Sequence, residues 1–515
     1  MGNPRIRSTP TGLQGASRSV PIVGGRPQNG SSHRALRNGT GKTLSRLHGN
    51  SDITLVNMNL LYMNVDGSID SEVHPPLGLL YLTSVLERAG YAVDLVDYQL
   101  FPQENPGADL FDLDNVVVSI GQTADVVGFS CMANLLPFTL LAAQRFKVQH
   151  PEKTILLGGV GPFGVERQIL ERFPWIDIIF RGEAEVSLPR LLRSLKSGGG
   201  LQGVPGVFCR SDNGAVVESA PPPRICELDA IPFPAYHRID REKYDAFGII
   251  TSRGCPYGCT FCSAAPVWNR KTTYRSHESI IEEIKVLYER YGVELVLFQD
   301  EFFYSSEAKI VDFCDRLARS GPPVRWKCFG RVNLVSEAAM KRMAESGCVQ
   351  IRFGVESGAD RVLEKIVKGF RFEDALRAVS QAAAIFESVE TFFIWGFPFE
   401  EPQDFFETAI QMMRFRQLGI TVLPSLFSML PQTRIYRDYR AGRYKGTLEL
   451  VPQLIPIYMV TGHEVLGEQN SVPEKYRFIY DFIGAHPEVF PGFHLLDYQS
   501  AILPKYEAMR QMGLA

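Results

Sequence analysis

Two successive runs of alternating strand and helix patterns constrain the fold of this chain more than any other feature of its 515 residues. Alternating strands and helices of this length predict a doubly wound parallel sheet, Rossmann-like in architecture, for the first run. Such sheets bind ligands beyond the carboxyl ends of their strands. The first run has predicted strands over residues 53–58, 92–97, 126–130, 154–157 and 176–180, and helices over 77–89, 135–149 and 186–197.

The second run follows a connector rich in glycine and proline, which contains Gly198-Gly199-Gly200 and Pro221-Pro222-Pro223. Six strand–helix units are too few for the usual eight-unit barrel and predict an open, partial (β/α)6 barrel. Beyond Pro431 the pattern loosens into aromatic-rich segments that we expect to be mostly helical. The second run has predicted strands over 247–252, 294–299, 324–329, 349–354, 390–394 and 421–426, with helices such as 279–291 and 404–418.

The first 50 residues differ in composition from the rest of the chain. They carry eight Arg or Lys and no acidic residue, with abundant Gly, Ser and Pro. A segment of this kind buries too little apolar surface to offset its ordering entropy, so we expect a disordered basic tail. The predicted organisation is therefore a tail (1–50), a Rossmann-like domain (51–200), a linker (201–245), a partial barrel (246–430) and a helical C-terminal region (431–515).

Charge and cysteine usage narrow the class of protein. Lys plus Arg number 54 against 57 Asp plus Glu, a net charge of −3, which argues against a dedicated nucleic-acid binder. Nine irregularly spaced cysteines do not indicate a disulfide framework, and we expect a reduced, cytoplasmic protein. The uncharged stretch 126–144 is interrupted by Gly128, Ser130, Asn134 and Pro137, so it predicts a buried strand and helix and no membrane span.

Residues 253–262, Arg-Gly-Cys-Pro-Tyr-Gly-Cys-Thr-Phe-Cys, form the most informative segment. Cys255, Cys259 and Cys262 follow the first predicted barrel strand, and active sites of such barrels lie at the carboxyl ends of their strands. Three thiolates can bind a four-iron cluster while leaving one iron open for catalysis. The alternative is a structural zinc site with His277 as the fourth ligand, since closed zinc sites take four.

At this point the sequence resembles the radical S-adenosylmethionine (SAM) superfamily, with Phe261 before the last cysteine of the cluster loop. The resemblance covers most of residues 246–430 and includes the acidic Gln299-Asp300-Glu301-Phe302, Gly354-Val355-Glu356-Ser357-Gly358 and Trp395-Gly396-Phe397-Pro398. It implies a 4Fe-4S cluster on the three cysteines and a SAM site beside it. The implied SAM contacts are Phe261, Asp300, Glu301, Arg331, Arg352, Glu356, Gly396 and Pro398.

Residues 52–200 resemble the cobalamin-binding domain found upstream of many radical SAM enzymes. The matching stretches are 75–82, Gly128-Phe129-Ser130, Gly158-Gly159 and 181–185. The D-x-H-x-x-G motif that supplies a cobalt ligand elsewhere is absent from all nine histidine contexts, as it often is in this family. The implied cobalamin contacts are Pro76, Leu77, Gly78, Ser130, Gly158, Gly159, Gly182 and Glu183.

The resemblance implies a cobalamin-dependent radical SAM methyltransferase that uses methylcobalamin and a 5′-deoxyadenosyl radical on a small-molecule or natural-product substrate. It also implies a reductant such as flavodoxin or ferredoxin. Relatives with the same two domains catalyse cyclisation or ring rearrangement without methyl transfer, which is the first alternative. An RNA-modifying radical SAM enzyme, suggested by the basic tail, and a cobalamin carrier or sensor are the others.

Overall fold

The computed structural model describes residues 51–59, 63–65, 68–70, 73–304, 306–452 and 474–514. The predicted basic tail, residues 1–50, lies outside the described residues, as do residues 453–473 of the C-terminal region. The two sheets described below belong to one compact unit, which spans His48–Ala515.

The first sheet has five parallel strands followed by two antiparallel ones. From one edge to the other, its strands are Val93–Asp97, Ile53–Asn57, Val126–Ser130, Thr154–Gly158, Ile178–Phe180, Val207–Arg210 and Val216–Glu218. The predicted Rossmann-like sheet is confirmed, and its last two strands lie within the segment predicted as a linker. The helices of this part are Leu77–Arg88, Phe101–Glu104, Leu113–Ile120, Leu136–Gln149, Glu166–Arg172 and Leu188–Lys196.

Both faces of the first sheet are buried, which explains its unbroken apolar strands. Leu55 and Leu156 belong to one apolar cluster, whereas their neighbours Val56 and Ile155 belong to the other, as alternating side chains of a strand require. Helix Arg477–Ala485, from the region after the barrel, contributes to the cluster that contains Val56. The first domain is therefore covered on one face partly by residues that follow the barrel in the sequence.

The second sheet has six parallel strands in sequential order, with Phe247–Ile249 and Thr421–Leu426 at its edges. Sequential parallel strands with intervening helices form the predicted open, partial barrel, and this prediction is confirmed. The four inner strands are Leu295–Phe298, Arg325–Gly330, Cys348–Glu356 and Ser388–Trp395. The helices that connect the six strands are Ala264–Val267, His277–Tyr291, Glu307–Ser320, Glu337–Glu345, Asp360–Lys365, Phe372–Ala383 and Pro402–Gln417.

The helix ends follow local sequence signals. Helix His277–Tyr291 begins after Ser276, whose side chain accepts a hydrogen bond from the Ser279 amide, and ends at Gly292 with φ +64°. A small antiparallel pair, Ser252–Arg253 with Thr273–Tyr274, lies between the first barrel strand and this helix. The pair brackets the cysteine segment and brings its two ends together.

The region after the barrel is mostly helical, as predicted, with helices Arg434–Arg440, Arg477–Ala485 and Leu503–Gln511. Lys505 of the last helix donates to the Glu400 carboxylate over 2.7 Å, and both side chains are buried. In the part of the chain that the structure describes, no helix combines the length and the apolar character needed to cross a bilayer. The uncharged stretch 126–144 falls in strand Val126–Ser130 and helix Leu136–Gln149.

Candidate functional site

The cysteine loop, residues 254–263, leaves the carboxyl end of the first barrel strand. It is fixed at Thr260, whose amide donates to the Ile366 carbonyl (3.0 Å) and whose carbonyl accepts from the Ile435 amide (3.1 Å). The three thiols are free and half-buried. The loop is thus held between the barrel and the C-terminal region while its thiols remain accessible.

Gly254 is required at the start of this loop. Its φ is +95°, and a Cβ atom there would lie 2.1 Å from the Lys271 carbonyl oxygen. Only glycine combines this backbone conformation with so close an approach. The turn directs the chain from the small antiparallel pair into the first cysteine.

The charges around the three thiols suit a metal cluster. Burial raises the pKa of Cys255 to about 11, with further increases from Cys262 and Cys259, whereas Arg331 lowers it. Burial also raises the pKa of Cys262, and Lys368 opposes that increase. The three sulfurs therefore lie within each other's electrostatic field, and two cations compensate negative charge placed there. Soft thiolates in this arrangement fit an iron–sulfur cluster, and metal binding deprotonates such thiols.

The zinc alternative is not supported by the position of His277. Its Nδ1 pairs with the Asp312 carboxylate at 2.9 Å, and its ring packs against Tyr304 and Phe313. Across the described ranges, no group of three or more His, Cys, Asp or Glu side chains, the three cysteines included, is arranged to hold a single metal ion. The predicted fourth zinc ligand is therefore engaged elsewhere.

The predicted acidic stretch has two carboxylates with different surroundings. Asp300 is buried, and its carboxylate accepts hydrogen bonds from the amides and the hydroxyls of both Thr251 and Ser252. Glu301 is exposed and accepts from the Gly254 amide (3.1 Å) and the Trp268 indole (2.6 Å). Asp300 thus holds the chain that leads into the cysteine loop, whereas Glu301 lies at the loop surface.

Asp300 gives a pH prediction, because burial raises its pKa from the ordinary value of 3.8 to about 7. Between these two values the folded state binds the Asp300 proton more tightly than the unfolded state does. Ionisation of Asp300 therefore lowers the free energy of unfolding as pH rises. Asp300→Asn reproduces the protonated form, with its amide facing the Thr251 hydroxyl. Relative to the variant, the native protein is expected to lose up to about 1.4 kcal/mol per pH unit in urea titrations between pH 5 and about 7.

The control is Asp374→Asn in helix Phe372–Ala383. A hydrogen bond from the Arg371 amide, with a second from Arg377, holds the pKa of Asp374 below its ordinary value of 3.8, so Asp374 is ionised in both the folded and the unfolded state between pH 5 and 7. The stability difference between the native protein and this variant is therefore expected to stay constant in that window and to fall only as pH drops below about 4. If the free energy of unfolding changed equally with pH in the native protein and in Asp300→Asn between pH 5 and about 7, the raised pKa of Asp300 would be contradicted.

The end of strand Cys348–Glu356 carries a second group of predicted residues. Glu356 has φ +72°, a rare conformation for a non-glycine residue, and its buried carboxylate accepts from Lys368 at 2.7 Å. The Arg331 guanidinium lies 3.7 Å from the centre of the Tyr257 ring in the cysteine loop and donates to the Lys368 carbonyl. Its Nε is buried without a hydrogen-bond partner in the described structure. The structure thus brings Glu356 and Arg331 to the cysteine loop.

Of three further predicted residues, Gly396 and Pro398 follow the next strand, Ser388–Trp395, and Arg352 lies within Cys348–Glu356. Gly396 has φ +85° and donates its amide to Glu400 (2.8 Å), and the half-buried Pro398 follows. Phe397 between them packs edge-on against Phe261 with ring centres 5.9 Å apart, so this turn contacts the cysteine loop. Arg352, in contrast, lies in mid-strand and pairs with Glu390 at 2.8 Å inside the barrel.

A cavity lies where the first sheet faces the barrel, and together with the open solvent at its mouth it encloses about 1050 Å³. Both domains line it: Gly78, Ser130, Gly158, Gly159, Gly182 and Glu183 come from the first, and Ser252, Arg253, Trp268, Gln299 and Glu301 from the second. Six of the eight predicted cobalamin contacts thus meet there. Pro76 and Leu77, at the start of helix Leu77–Arg88, do not line the cavity.

The cavity suits a large, flat and partly apolar group. Leu55, Leu79 and Leu156 of the first domain give the cavity an apolar wall. Met132, Val160 and Val186, which follow successive strands of the same sheet, expose apolar side chains outside the cavity lining. Gly159 has φ +84°, and a Cβ atom there would lie 2.5 Å from the Cys131 carbonyl oxygen. None of the described residues that line the cavity is a histidine. These features fit a cobalamin bound without a protein imidazole.

Sequence reasoning missed the ion pairs that join the two domains beside this cavity. Arg253 binds Glu183 (3.0 Å) and Glu185 (2.6 Å), and Arg224 binds the other oxygen of Glu183 (3.2 Å). The Arg224 guanidinium also lies 4.6 Å from the centre of the Trp268 ring. The position of Arg253, two residues before Cys255, was the one sequence signal for a role at this site. It could not identify the partners of Arg253, which lie about 70 residues upstream.

Comparisons with known proteins agree with the two domains. The radical SAM superfamily profile matches residues 249–411, and the B12 binding domain profile matches residues 68–192. The "uncharacterized methyltransferase PH0819" of Pyrococcus horikoshii is 31% identical over 335 residues, which are 64% of this chain and 71% of that protein. The anaerobic magnesium-protoporphyrin IX monomethyl ester cyclase of a Synechocystis species is 27% identical over 363 residues, covering 67% of this chain and 70% of that protein.

A solved structure shows the same fold. The radical SAM methyltransferase TsrM from Kitasatospora setae, solved with tryptophan and a SAM analogue, superposes with a TM-score of 0.64. It is 18% identical and covers 90% of this chain and 88% of its own.

Fold, cysteine loop and domain matches together define a radical SAM enzyme. The chain belongs to the radical SAM superfamily with an upstream cobalamin-binding domain, the group that includes cobalamin-dependent radical SAM methyltransferases. The cofactors of this family are a 4Fe-4S cluster, SAM and cobalamin, as the sequence predicted.

Proposed function

We propose that the protein is a cobalamin-dependent radical SAM C-methyltransferase acting on a small-molecule substrate, with a flavodoxin- or ferredoxin-like reductant. The observation that carries the proposal is the shared cavity. Its first-domain wall contains Gly78, Ser130 and Gly158, and its opposite wall contains Ser252 and Glu301, next to the cysteine loop. Residues suited to two different cofactors therefore face each other across one space.

The chain's own residues would hold the cofactors as follows. Cys255, Cys259 and Cys262 would bind the cluster, and Arg331 and Lys368 would balance its negative charge. Glu301 and Glu356 offer carboxylate oxygens to hydroxyl or ammonium groups of SAM, and the unpartnered Arg331 Nε offers a donor to a carboxylate. When bound, the cluster and SAM supply radical chemistry, and cobalamin supplies a methyl group.

The protein's remaining task is to exclude water and orient the substrate between the two sites. Apolar residues of the first domain, among them Leu79, Leu82 and Leu156, form much of the cavity lining. Polar residues line both walls, but Glu183 and Glu185 of the first domain are paired with Arg253. Gln299 and Glu301 lie on the barrel wall outside that ion cluster. We infer that the substrate's polar groups would bind on the barrel side.

The test is anaerobic reconstitution of the full chain with iron, sulfide and hydroxocobalamin, followed by incubation with SAM, a reductant and candidate substrates. Methyl transfer is expected to yield S-adenosylhomocysteine together with 5′-deoxyadenosine. Consumption of SAM without S-adenosylhomocysteine would refute methyl transfer. That outcome would favour cyclisation or ring rearrangement, the alternative supported by the similarity to the magnesium-protoporphyrin cyclase.

A further inference from the structure

Arg253 is the residue through which the two domains are joined beside the cavity. Its guanidinium donates to Glu183 at 3.0 Å and to Glu185 at 2.6 Å, two carboxylates that follow strand Ile178–Phe180 of the first sheet. The fork geometry of arginine permits both bonds at once, which a lysine ammonium at the same position could not match.

This ion cluster is buried and balanced in charge. The side chains of Arg253, Glu183 and Glu185 are each exposed by 9% or less. Arg224 supplies the second cation, since it binds Glu183 and also donates to the Arg253 carbonyl at 2.6 Å. Two cations therefore face two anions in a setting where an unpaired charge would be costly.

The ion cluster connects the cavity to the cysteine loop. Glu183, Glu185 and Arg253 all line the cavity, and Arg253 is two residues before Cys255. The residue between them, Gly254, is confined by the Lys271 carbonyl and by the Glu301 hydrogen bond to its amide. Because Gly254 has little room to move, a displacement of Arg253 is expected to displace Cys255 as well.

We propose that Arg253 is a positioning residue that couples the order of the cysteine loop to occupancy of the cobalamin cavity. A group filling the cavity bears on the 183–185 turn, which holds Arg253 and through it residues 254–262. The inference rests on the proposed function because it takes cobalamin as the group in the cavity. It concerns loop order, so it is measured without turnover.

The experiment is hydrogen–deuterium exchange of the full chain prepared without its iron–sulfur cluster, with and without saturating hydroxocobalamin. Cobalamin is expected to slow exchange of residues 254–262 at least about tenfold in the native protein. The test variant is Arg253→Met combined with Glu185→Gln, which leaves Glu183 paired with Arg224 and no uncompensated buried charge. In this variant, with bound cobalamin verified by its visible spectrum, the protection is expected to fall below about twofold.

Two further variants separate positioning from general stability. Arg253→Lys, which can reach one carboxylate, is expected to restore part of the protection. Arg238→Met removes another ion pair between the linker and the first domain, Arg238 with Glu87 at 2.8 Å, and is expected to leave the loop's protection unchanged.

Equal protection in the native protein and the double variant would overturn the inference while leaving the proposed function intact. Failure of the native protein to bind cobalamin would instead refute the cobalamin part of the proposed function. The inference would then be judged on the ligand-free proteins, where the double variant is expected to exchange faster over residues 254–262. Equal exchange there would overturn it as well.

Discussion

Replacement of Cys255, Cys259 and Cys262 by alanine is expected to give a folded protein that retains no iron and has lost radical chemistry by a factor of more than about 10³. The reason is that the reaction is supplied by a cofactor that these thiols would hold. Iron analysis and the visible spectrum after anaerobic reconstitution measure the first effect. Production of 5′-deoxyadenosine measures the second.

The fold of the triple variant should survive. The thiols are half-buried on a loop fixed by the Thr260 backbone, and those hydrogen bonds do not involve the replaced side chains. The free energy of unfolding in the absence of iron is expected to change by no more than about 1 kcal/mol. Cys226→Ala, which removes an exposed cysteine of the linker, is the matched control and should retain native iron content. Native iron content in the triple variant would contradict the assignment of the cluster loop.

Much of the fold could be predicted because the strands are buried and their periodicity is strong. The last barrel strand was predicted at 421–426 and is observed as Thr421–Leu426. The first was predicted to reach residue 252 but ends at Ile249. Asp300 accounts for the difference, because the amides of Thr251 and Ser252 donate to its carboxylate and not to a neighbouring strand of the sheet.

The antiparallel extension of the first sheet was missed for a different reason. Strands Val207–Arg210 and Val216–Glu218 lie between glycine- and proline-rich stretches that indicate a connector. The dipeptide Asn213-Gly214 between them is a strong hairpin signal, and it could have identified the pair. The glycine- and proline-rich composition of residues 201–245 predicted a linker, whereas the Asn213-Gly214 turn was the better indicator of the observed strands.

The candidate site was predictable where its chemistry is local in sequence. The three cysteines, Phe261 and the glycines at strand ends can be found as motifs, and their roles as cofactor contacts stay predictions. The bonds of Arg253 to Glu183 and Glu185 depend on how two domains dock, which no periodicity within either domain encodes. Likewise, a sequence shows that Asp300 carries a carboxylate but not that four donors of the chain itself occupy it.

Filling the cavity from the first-domain side is expected to abolish cobalamin binding while leaving the iron site intact. Gly78 and Gly158 line the cavity; a Cβ atom at Gly78 would meet nothing within 4 Å, and one at Gly158 only atoms at 4.0 Å. Gly78→Trp and Gly158→Val therefore add volume without backbone strain. Both variants together are expected to weaken hydroxocobalamin binding at least about 100-fold, because close-packed side chains cannot share the space with a ligand.

The iron content of the same protein is the internal reference, because the cysteine loop lies on the opposite side of the cavity. Native iron with no cobalamin in the desalted protein would show that the two cofactor sites are separable. Gly203→Val, an exposed position where a Cβ atom also meets nothing within 4 Å and which does not line the cavity, should bind both cofactors normally. If methyl transfer disappeared but reductive cleavage of SAM continued in the filled variant, the group bound in the cavity would be the immediate methyl donor. Native cobalamin content in that variant would place cobalamin outside the cavity and remove the main support for two facing cofactors.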